Sequence, residues 1–197
     1  MNKSITKLQL IAQLASKRDK VLKKLQQQIQ SADIKQASVL IPIIDTHELN
    51  VIFTERTAHL KNHAGQISFP GGRYEKTDHS LEETCLRETH EEIGIVTQHI
   101  NIIGSLTSVI SSSGFTVTPF VGLVHPDYQL KIDPFEVASI FTVPLNFLLD
   151  ANNHQLQEYL YQGEPKPIYV IEYEQHRIWG LTAKIIVDLA NELKIER

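Results

Sequence analysis

A chain of 197 residues, 42% of them hydrophobic and 21% charged, has the composition of a globular protein and is long enough to form one hydrophobic core. Its formal net charge of −4 gives no basis for nucleic-acid binding, which a basic domain or stripe would indicate. The only cysteine, Cys85, excludes a disulfide framework and a cysteine-based zinc site, and we expect it to be a buried apolar residue.

No apolar run in the sequence reaches the length of a membrane-spanning helix. The first residues also lack the continuous apolar segment and the small-residue cleavage site of a secretory signal. These features predict a cytoplasmic protein that has neither a membrane nor a nucleic acid as its partner.

Residues 1–36 carry an excess of basic side chains: eight Lys and Arg stand against two Asp, a formal charge of +6 that leaves −10 for the remainder. Apolar residues recur there every three or four positions if Arg18 fills one missing step, which predicts an amphipathic helix or a pair of helices. These apolar residues are Leu8, Ile11, Ala15, Leu22, Leu25 and Ile29. We interpret 1–36 as a helical segment packed on a domain of residues 37–197, with a homodimer contact as the main alternative.

The remaining elements follow in chain order. Apolar runs at 37–45 and 51–56 predict paired strands, and 101–110 and 115–124 are again rich in β-forming residues. Residues 137–149 read as a strand that runs into a short helix near Pro144, and 168–180 as a hairpin that turns near Glu174 and Gln175. Residues 181–193 have helical spacing. This order predicts a mixed β-sheet with helices on both faces.

The sequence "SLEETCLRETHEEIG" predicts an acidic helix. Ser80 and Glu83 have the spacing of a capping box, so the helix is expected to begin at Leu81, and Gly94 is its expected end. A mostly apolar side that can pack against the sheet is formed by Cys85, Leu86, Thr89 and Ile93.

Three carboxylates of this helix, those of Glu88, Glu91 and Glu92, fall within an arc of roughly 100°. Like charges at such spacing repel, and the dipole at the end of a helix disfavours anions. A cluster that violates both preferences indicates a bound cation, and oxygen ligands of this kind suit Mg²⁺ or Mn²⁺. A solvated acidic helix is the alternative.

The turn "FPGGR" precedes this helix. Gly71 and Gly72 permit a close approach between the main chain and a ligand, and Arg73 adds a positive charge. Beside a helix of carboxylates, such a turn indicates a site for phosphate and metal, where a divalent cation neutralises oxygens and activates water.

Gly72, Asp78 and the run "RETHEEIGI" resemble the Nudix box, the loop–helix–loop signature of hydrolases that cleave nucleoside diphosphates linked to another moiety. Two features depart from that signature. Asp78 replaces the usual Glu, with eight residues before Arg87 instead of seven, and Thr89 replaces an aliphatic residue.

The stretch "IFTERTAHLKNHAGQISFPGG", residues 52–72, resembles a second signature, that of the coenzyme A pyrophosphatase branch of the family. Lys61 stands at a basic position where that signature has Arg, and Thr57 stands at its small-residue position. The matching residues are Thr54, Arg56, Gly65, Phe69, Pro70, Gly71 and Gly72. With further similarity downstream, the resemblance extends from about residue 37 to residue 190.

This resemblance implies an α/β (α+β) Nudix sandwich, here with an extra N-terminal helix, that hydrolyses coenzyme A to 3′,5′-ADP and 4′-phosphopantetheine with Mg²⁺ or Mn²⁺. The implied metal ligands are Glu88 and Glu92, then Glu91 and the Gly72 carbonyl, with Arg87 orienting one carboxylate. Substrate binding is assigned to Arg56, Lys61, Gly71, Gly72 and Arg73. In this assignment Arg56 and Lys61 bind the 3′-phosphate of coenzyme A, whereas pairing of Arg56 with a nearby carboxylate, such as Glu55 or Asp78, is the alternative.

Two rival functions remain open at this point. A Nudix hydrolase for another dinucleotide, such as ADP-ribose or NADH, would share the acidic helix but not the signature in residues 52–72. A non-catalytic regulatory module on the same scaffold would be expected to lose the mutually repelling carboxylates of Glu88, Glu91 and Glu92, which are all present.

Overall fold

The computed structural model describes residues 5–14, 35–60, 63–161 and 163–193. Four helices lie in these ranges: α1 (7–14), α2 (Leu81–Ile93), α3 (Leu145–Leu149) and α4 (Gly180–Glu192). The first six strands are β1 (Gln36–Ile44), β2 (Asn50–Arg56), β3 (Ile67–Ser68), β4 (Gly71–Arg73), β5 (Ile100–Ser105) and β6 (Val109–Ile110). The others are β7 (Thr116–Val124), β8 (Val137–Pro144), β9 (Gln155–Tyr161), β10 (Glu164–Tyr173) and β11 (His176–Trp179).

Eight of these strands form one mixed sheet. At its centre β1 pairs in parallel with β7 and antiparallel with β2 and β4. Strands β3 and β8 extend the sheet beyond β2, and β5 and β6 pair with β7. The order of the remaining three strands is β11-β10-β9, in a separate antiparallel sheet. The predicted strand pairs, the hairpin at Glu174 and the strand leading into α3 are confirmed.

Helices cover both faces of the large sheet. Neighbouring residues of β1 point to opposite faces, and each face packs against different helices. Ile41 belongs to the main core, which also contains side chains of α1, α3 and α4. Leu40 belongs to a second cluster, together with Leu81 and Cys85 of α2. The predicted mixed sheet between helices is therefore confirmed. None of the helices in the described ranges combines the length and the apolar character needed to cross a bilayer.

The N-terminal helix packs differently from the predicted pattern. Leu10 and Leu14 are fully buried in the main core, whereas Leu8 is 79% exposed. Leu14 lies so close to β5 that a Cβ on Gly104 would stand 2.8 Å from its own Cβ. The prediction that Leu8 belongs to the buried side is wrong, because contact with β5 selects the side that carries Leu10 and Leu14. The predicted helical positions from Ala15 to Ile29 lie outside the described residues.

The hairpin formed by β9 and β10 was not expected from the sequence. Strand β10 begins at Glu164 and includes Pro165 and Pro167, which ordinarily argue against a strand. Its partner β11 pairs only with Val170–Tyr173, so the proline segment has a neighbour on one side only. Proline is tolerated on such an edge because no ladder hydrogen bond is needed from its nitrogen.

Candidate active site

Helix α2 begins and ends where the sequence predicts. Ser80 accepts a hydrogen bond from the Glu83 N–H at 3.1 Å, and Gly94 ends the helix in the left-handed conformation with φ 77°. The Glu83 carboxylate in turn accepts from the N–H of His79, one residue before the expected capping-box partner. Both ends of the helix are therefore held by local contacts.

The rotation of α2 about its axis buries Glu92 together with the apolar side. Cys85, Thr89 and Ile93 are fully buried against the sheet, as expected, and burial raises the pKa of the Cys85 thiol. Glu92 is only 4% exposed, whereas Glu91 is exposed. The three clustered carboxylates thus occupy different environments at the edge of the core.

The glycine turn lies directly against these carboxylates. The Gly71 N–H donates to Glu92 Oε2 at 3.3 Å, and a Cβ added to Gly72 would stand 2.3 Å from the carboxylate carbon of Glu88. A Cβ on Gly71 would stand 2.3 Å from the main-chain oxygen of Ser38. A side chain at residue 71 would clash with fixed main chain and one at residue 72 would displace the Glu88 carboxylate, so glycine at both positions permits the close approach of the turn to the helix.

Arg87 connects the carboxylates with the loop that precedes the helix. Its Nη1 donates to Glu88 Oε1 at 2.9 Å and to Glu91 Oε2 at 3.1 Å. Its Nε and Nη2 donate to the two oxygens of Asp78 at 2.9 and 3.0 Å. The predicted contact between Arg87 and a helix carboxylate is present, and Asp78 holds the guanidinium in a two-pronged grip.

Asp78 is the residue whose contribution the sequence did not reveal. It is 5% exposed, and the hydrogen bond from Arg87 is the main reason that its pKa falls to about 2. The hydroxyl of Thr84 and the N–H of Glu75 also donate to it. Because these donors engage both carboxylate oxygens, Asp78 positions Arg87 and does not face a ligand. Its place in the Nudix-like spacing was the available signal.

Arg56, at the end of β2, extends into the same cluster. Its Nη1 lies 3.6 Å from Glu92 Oε1, and its Nη2 lies 4.0 Å from Glu136 Oε2. Glu136 follows the loop that leads to β8, and β8 pairs with β2 along its whole length. The long-range pairing of these two strands brings a fourth carboxylate to the site.

The alternative that Arg56 pairs with a nearby carboxylate is confirmed, since it lies beside Glu92 and Glu136, but the two expected partners, Glu55 and Asp78, are wrong. Glu55 accepts a hydrogen bond from Ser139 on β8, and Asp78 is engaged by Arg87. Neighbouring residues of a strand point to opposite faces, so Arg56 and Glu55 face different sides.

Burial governs the charge state of the carboxylates. Removal from water raises the pKa of Glu92 to about 8, against the opposing effect of Arg56, and burial also raises the pKa of Glu88. The charges of Glu88 and Glu136 raise the pKa of Glu92 further. A site that crowds buried carboxylates in this way favours binding of an additional cation.

Comparisons with known proteins agree with this geometry. The sequence matches the family model of the NUDIX domain over residues 34–162. The uncharacterized Nudix hydrolase NudL of Photorhabdus laumondii is 41% identical over 161 residues, 82% of this chain and 86% of that protein. Its namesake from Yersinia pestis (strain Pestoides F) is 41% identical over 165 residues, 84% of this chain and 83% of the relative. The chain belongs to the Nudix hydrolase family.

A solved structure supports the Nudix fold. The MutT/nudix family protein from Enterococcus faecalis superposes with a TM-score of 0.51 and 16% identity, over 97% of this chain and 75% of that one. At this identity the likeness concerns the fold alone. As a Nudix hydrolase, the protein acts on a nucleoside diphosphate linked to another group, and Nudix hydrolases generally use divalent metals such as Mg²⁺ or Mn²⁺.

The Nudix carboxylates fit such a cation in their chemistry. Carboxylate oxygens are the donors that Mg²⁺ and Mn²⁺ prefer, and Gly72 approaches Glu88 closely. As placed, no three Asp, Glu, His or Cys side chains of the described residues form a group that could hold a metal ion, and the guanidinium groups of Arg56 and Arg87 lie beside the carboxylates.

Of the other two basic residues assigned to substrate binding, one is described, and its side chain does not lie at the carboxylates. Lys61 lies outside the described residues. Arg73 places its guanidinium 5.0 Å from the centre of the Phe115 ring, and only its main-chain oxygen takes part in the Arg87 network. The geometry therefore unites Arg56, the glycine turn and α2, and leaves Arg73 in a second group of residues.

Proposed function

We propose that this Nudix hydrolase cleaves the pyrophosphate bond of coenzyme A, giving 3′,5′-ADP and 4′-phosphopantetheine with Mg²⁺ or Mn²⁺. The observation that supports this substrate is the resemblance of residues 52–72 to the coenzyme A signature, together with the position of Arg56, which brings that stretch to the carboxylates. Arg56 belongs to this stretch, and its guanidinium lies 3.6 Å from Glu92 on the metal-binding helix. The branch-specific stretch and the general Nudix helix thus contribute to one site.

In this proposal Glu88 and Glu92 hold the metal, and Glu91 and the Gly72 carbonyl complement them. The bound cation neutralises the charge on the phosphoryl oxygens and activates water. Arg87 keeps Glu88 oriented through a hydrogen bond of 2.9 Å, and Asp78 keeps Arg87 in place. Gly71 fixes the Glu92 carboxylate by donating its main-chain N–H.

The position of Arg56 favours a role in binding the pyrophosphate of the substrate. A guanidinium beside Glu92 stands where the substrate's bridging phosphates would meet the metal, and Arg binds phosphate oxygens in a planar, two-pronged manner. The 3′-phosphate contact predicted for Arg56 from the sequence would place that phosphate close to the metal as well. We therefore assign Arg56 to the pyrophosphate, and dephospho-coenzyme A distinguishes the two roles.

A panel of dinucleotides tests the substrate. The purified protein is incubated with coenzyme A, ADP-ribose and NADH in the presence of Mg²⁺ or Mn²⁺, and the products are identified by mass. Metal-dependent formation of 3′,5′-ADP at the highest kcat/KM of the panel is the expected result. Faster cleavage of ADP-ribose or NADH would establish the rival substrate, and binding without cleavage of any of the three would establish the regulatory module.

The homodimer contact, the alternative to an N-terminal helix packed on its own domain, remains a separate proposal. Its test is the mass of the intact protein in solution, measured by sedimentation equilibrium over a range of concentrations. A monomer at all concentrations would exclude the dimer and support the interpretation that the N-terminal helix packs on its own domain.

A further inference from the structure

A group of basic and aromatic side chains lies where β1, β4 and β7 begin or end together. The Arg73 guanidinium is 5.0 Å from the centre of the Phe115 ring, and Lys35 Nζ is 5.8 Å from the same ring. Their proximity follows from the sheet, because Ala37 of β1 pairs with Arg73 while the Thr116 N–H bonds to the Lys35 oxygen. Two cations thus share one ring, an arrangement that concentrates positive charge.

The β9–β10 hairpin adds a second ring and a third cation. Lys166 Nζ lies 4.7 Å above the Tyr161 ring, and the Tyr161 hydroxyl donates to the main-chain oxygen of Ser112 at 3.4 Å. Ser112 belongs to the turn that leads to Phe115. All three cation–π contacts among the described residues therefore lie in one place, which we call the basic–aromatic cluster: Lys35, Arg73, Phe115, Tyr161 and Lys166.

The charges of this cluster are not neutralised by carboxylates. Within the described part of the chain, no salt bridge involves any of its three cations, although the protein has a formal net charge of −4. Other cations of the protein do pair with Asp or Glu: Lys7, Arg56, Arg87 and Lys184. Cations without a carboxylate partner in the described structure, beside the half-buried rings of Phe115 and Tyr161, suit a ligand that is both anionic and aromatic.

The cluster is connected to the catalytic carboxylates through β4. Gly72 lies against Glu88, and Arg73 is the next residue, with its side chain on the opposite face of the strand. In the described structure β4 pairs with β1, and its other edge faces α2: the Gly71 N–H donates to Glu92, and the Arg73 main-chain oxygen accepts from Arg87. Because Arg73 is the last residue of β4, a ligand whose pyrophosphate lies at Glu88 can reach the cluster with its other end past the end of this strand.

We propose that the basic–aromatic cluster binds the nucleoside 3′-phosphate end of the substrate. The phosphate lies between Arg73 and Lys35, and the base lies against the rings of Phe115 and Tyr161. This inference rests on the proposed function, since a 3′-phosphate is what distinguishes coenzyme A from ADP-ribose. Arg is suited to phosphate oxygens, and any base offers a π-face to an aromatic ring.

Binding of two nucleotides without catalysis tests the cluster. Titration calorimetry of the full chain in EDTA compares 3′,5′-ADP with 5′-AMP, which lacks the 3′-phosphate. We expect the wild type to bind 3′,5′-ADP about tenfold more tightly. Arg73→Gln should abolish that difference, and Arg73→Lys should restore part of it. Phe115→Leu should lower the affinity for both nucleotides equally, by about tenfold.

Lys7→Gln is the matched control for charge. It removes the same charge beside Asp45, at the other end of β1, roughly 30 Å from Lys35 at the usual rise of a strand. Its nucleotide affinities should equal those of the wild type, and thermal unfolding checks that every variant is folded. Equal wild-type affinity for the two nucleotides, or an unchanged difference in Arg73→Gln, would overturn the inference.

The two proposals can fail separately. Suppose that coenzyme A is cleaved and that Arg73→Gln still prefers 3′,5′-ADP as the wild type does. This result would overturn the binding role of the cluster and leave the proposed function intact. A nucleotide preference that depends on Arg73, without cleavage of coenzyme A, would support the cluster and overturn the proposed reaction.

Discussion

The Nη1 atom of Arg56 lies 3.6 Å from Oε1 of Glu92, although Arg56 ends a strand and Glu92 lies in the last turn of a helix. This pair joins the stretch that resembles the coenzyme A signature, residues 52–72, with the helix of the Nudix-like motif. It is reinforced by Gly71, which donates its N–H to the other oxygen of Glu92.

Glu92→Gln tests the metal-binding role. Glutamine has nearly the same volume and is neutral, and burial already disfavours the charged form of Glu92 by raising its pKa to about 8, so the melting temperature should not fall. Metal-dependent kcat should drop about 100-fold or more, because even loss of outer contacts around a metal costs about 10- to 100-fold. Glu82→Gln, in the first turn of α2, is the control and should change kcat far less. Near wild-type turnover in Glu92→Gln would falsify the role.

Gly72→Ala and Gly71→Ala should separate activity from stability. The new Cβ at residue 72 would meet the movable carboxylate of Glu88, so the fold should persist while kcat falls about 100-fold through misplacement of that group. The new Cβ at residue 71 would meet the fixed main chain of Ser38, which should lower the free energy of unfolding by about 3 kcal/mol. Denaturant unfolding and steady-state kinetics measure the two effects. Similar losses in both variants would contradict this distinction.

Arg56→Ala should lower kcat/KM for coenzyme A and for dephospho-coenzyme A by the same factor. Loss of a charge-assisted hydrogen bond to the pyrophosphate corresponds to about tenfold or more in kcat/KM for either substrate. Steady-state kinetics on both compounds give the comparison. A loss confined to coenzyme A would instead support the 3′-phosphate contact that the sequence predicts for Arg56. Arg177→Ala, which removes an exposed arginine of β11, serves as the control.

Asp78 should make stability depend on pH at the acid end. Its pKa in the folded protein is about 2, below its value of about 3.9 in an unfolded chain. The folded state therefore favours the ionised form, and the stabilisation of about 2 kcal/mol is complete above pH 4 and is lost as the pH falls towards 2. Asp78→Asn should lower the free energy of unfolding by about this amount at pH 7 and flatten its slope between pH 4 and pH 2.

The control for Asp78 is the exposed Asp127, whose side chain is 82% accessible. Asp127→Asn should leave both the free energy of unfolding and its acid slope unchanged within about 0.5 kcal/mol. Urea unfolding at several pH values measures both variants. An acid slope in Asp78→Asn as steep as that of the wild type would show that other groups cause it.

Leu10→Ala and Leu8→Ala test the packing of α1. Leu10 is fully buried, so its truncation should cost about 3 kcal/mol of unfolding free energy. Leu8 is 79% exposed, and its truncation should change stability by less than about 0.5 kcal/mol. Turnover of the folded enzyme should be the same in both, because α1 packs on the face of the sheet opposite α2. The reverse order of stabilities would contradict the observed orientation of the helix.

The sequence by itself determined the features that depend on near neighbours in the chain. Ser80 and Gly94 set the limits of α2, since caps act within one turn. The apolar run at 37–45 predicted strand β1, and the spacing of Glu88 and Glu92 placed them on one side of the helix.

The tertiary structure decided which side chains meet across the fold. Burial of Glu92, its contact with Arg56 and the arrival of Glu136 all follow from the packing of α2 against β4 and the pairing of β2 with β8. Leu8 and Leu10 have the same side chain, and only the contact with the sheet makes one exposed and the other buried. Such long-range contacts have no local signature, because strand pairing and helix rotation are selected by the burial of the whole core.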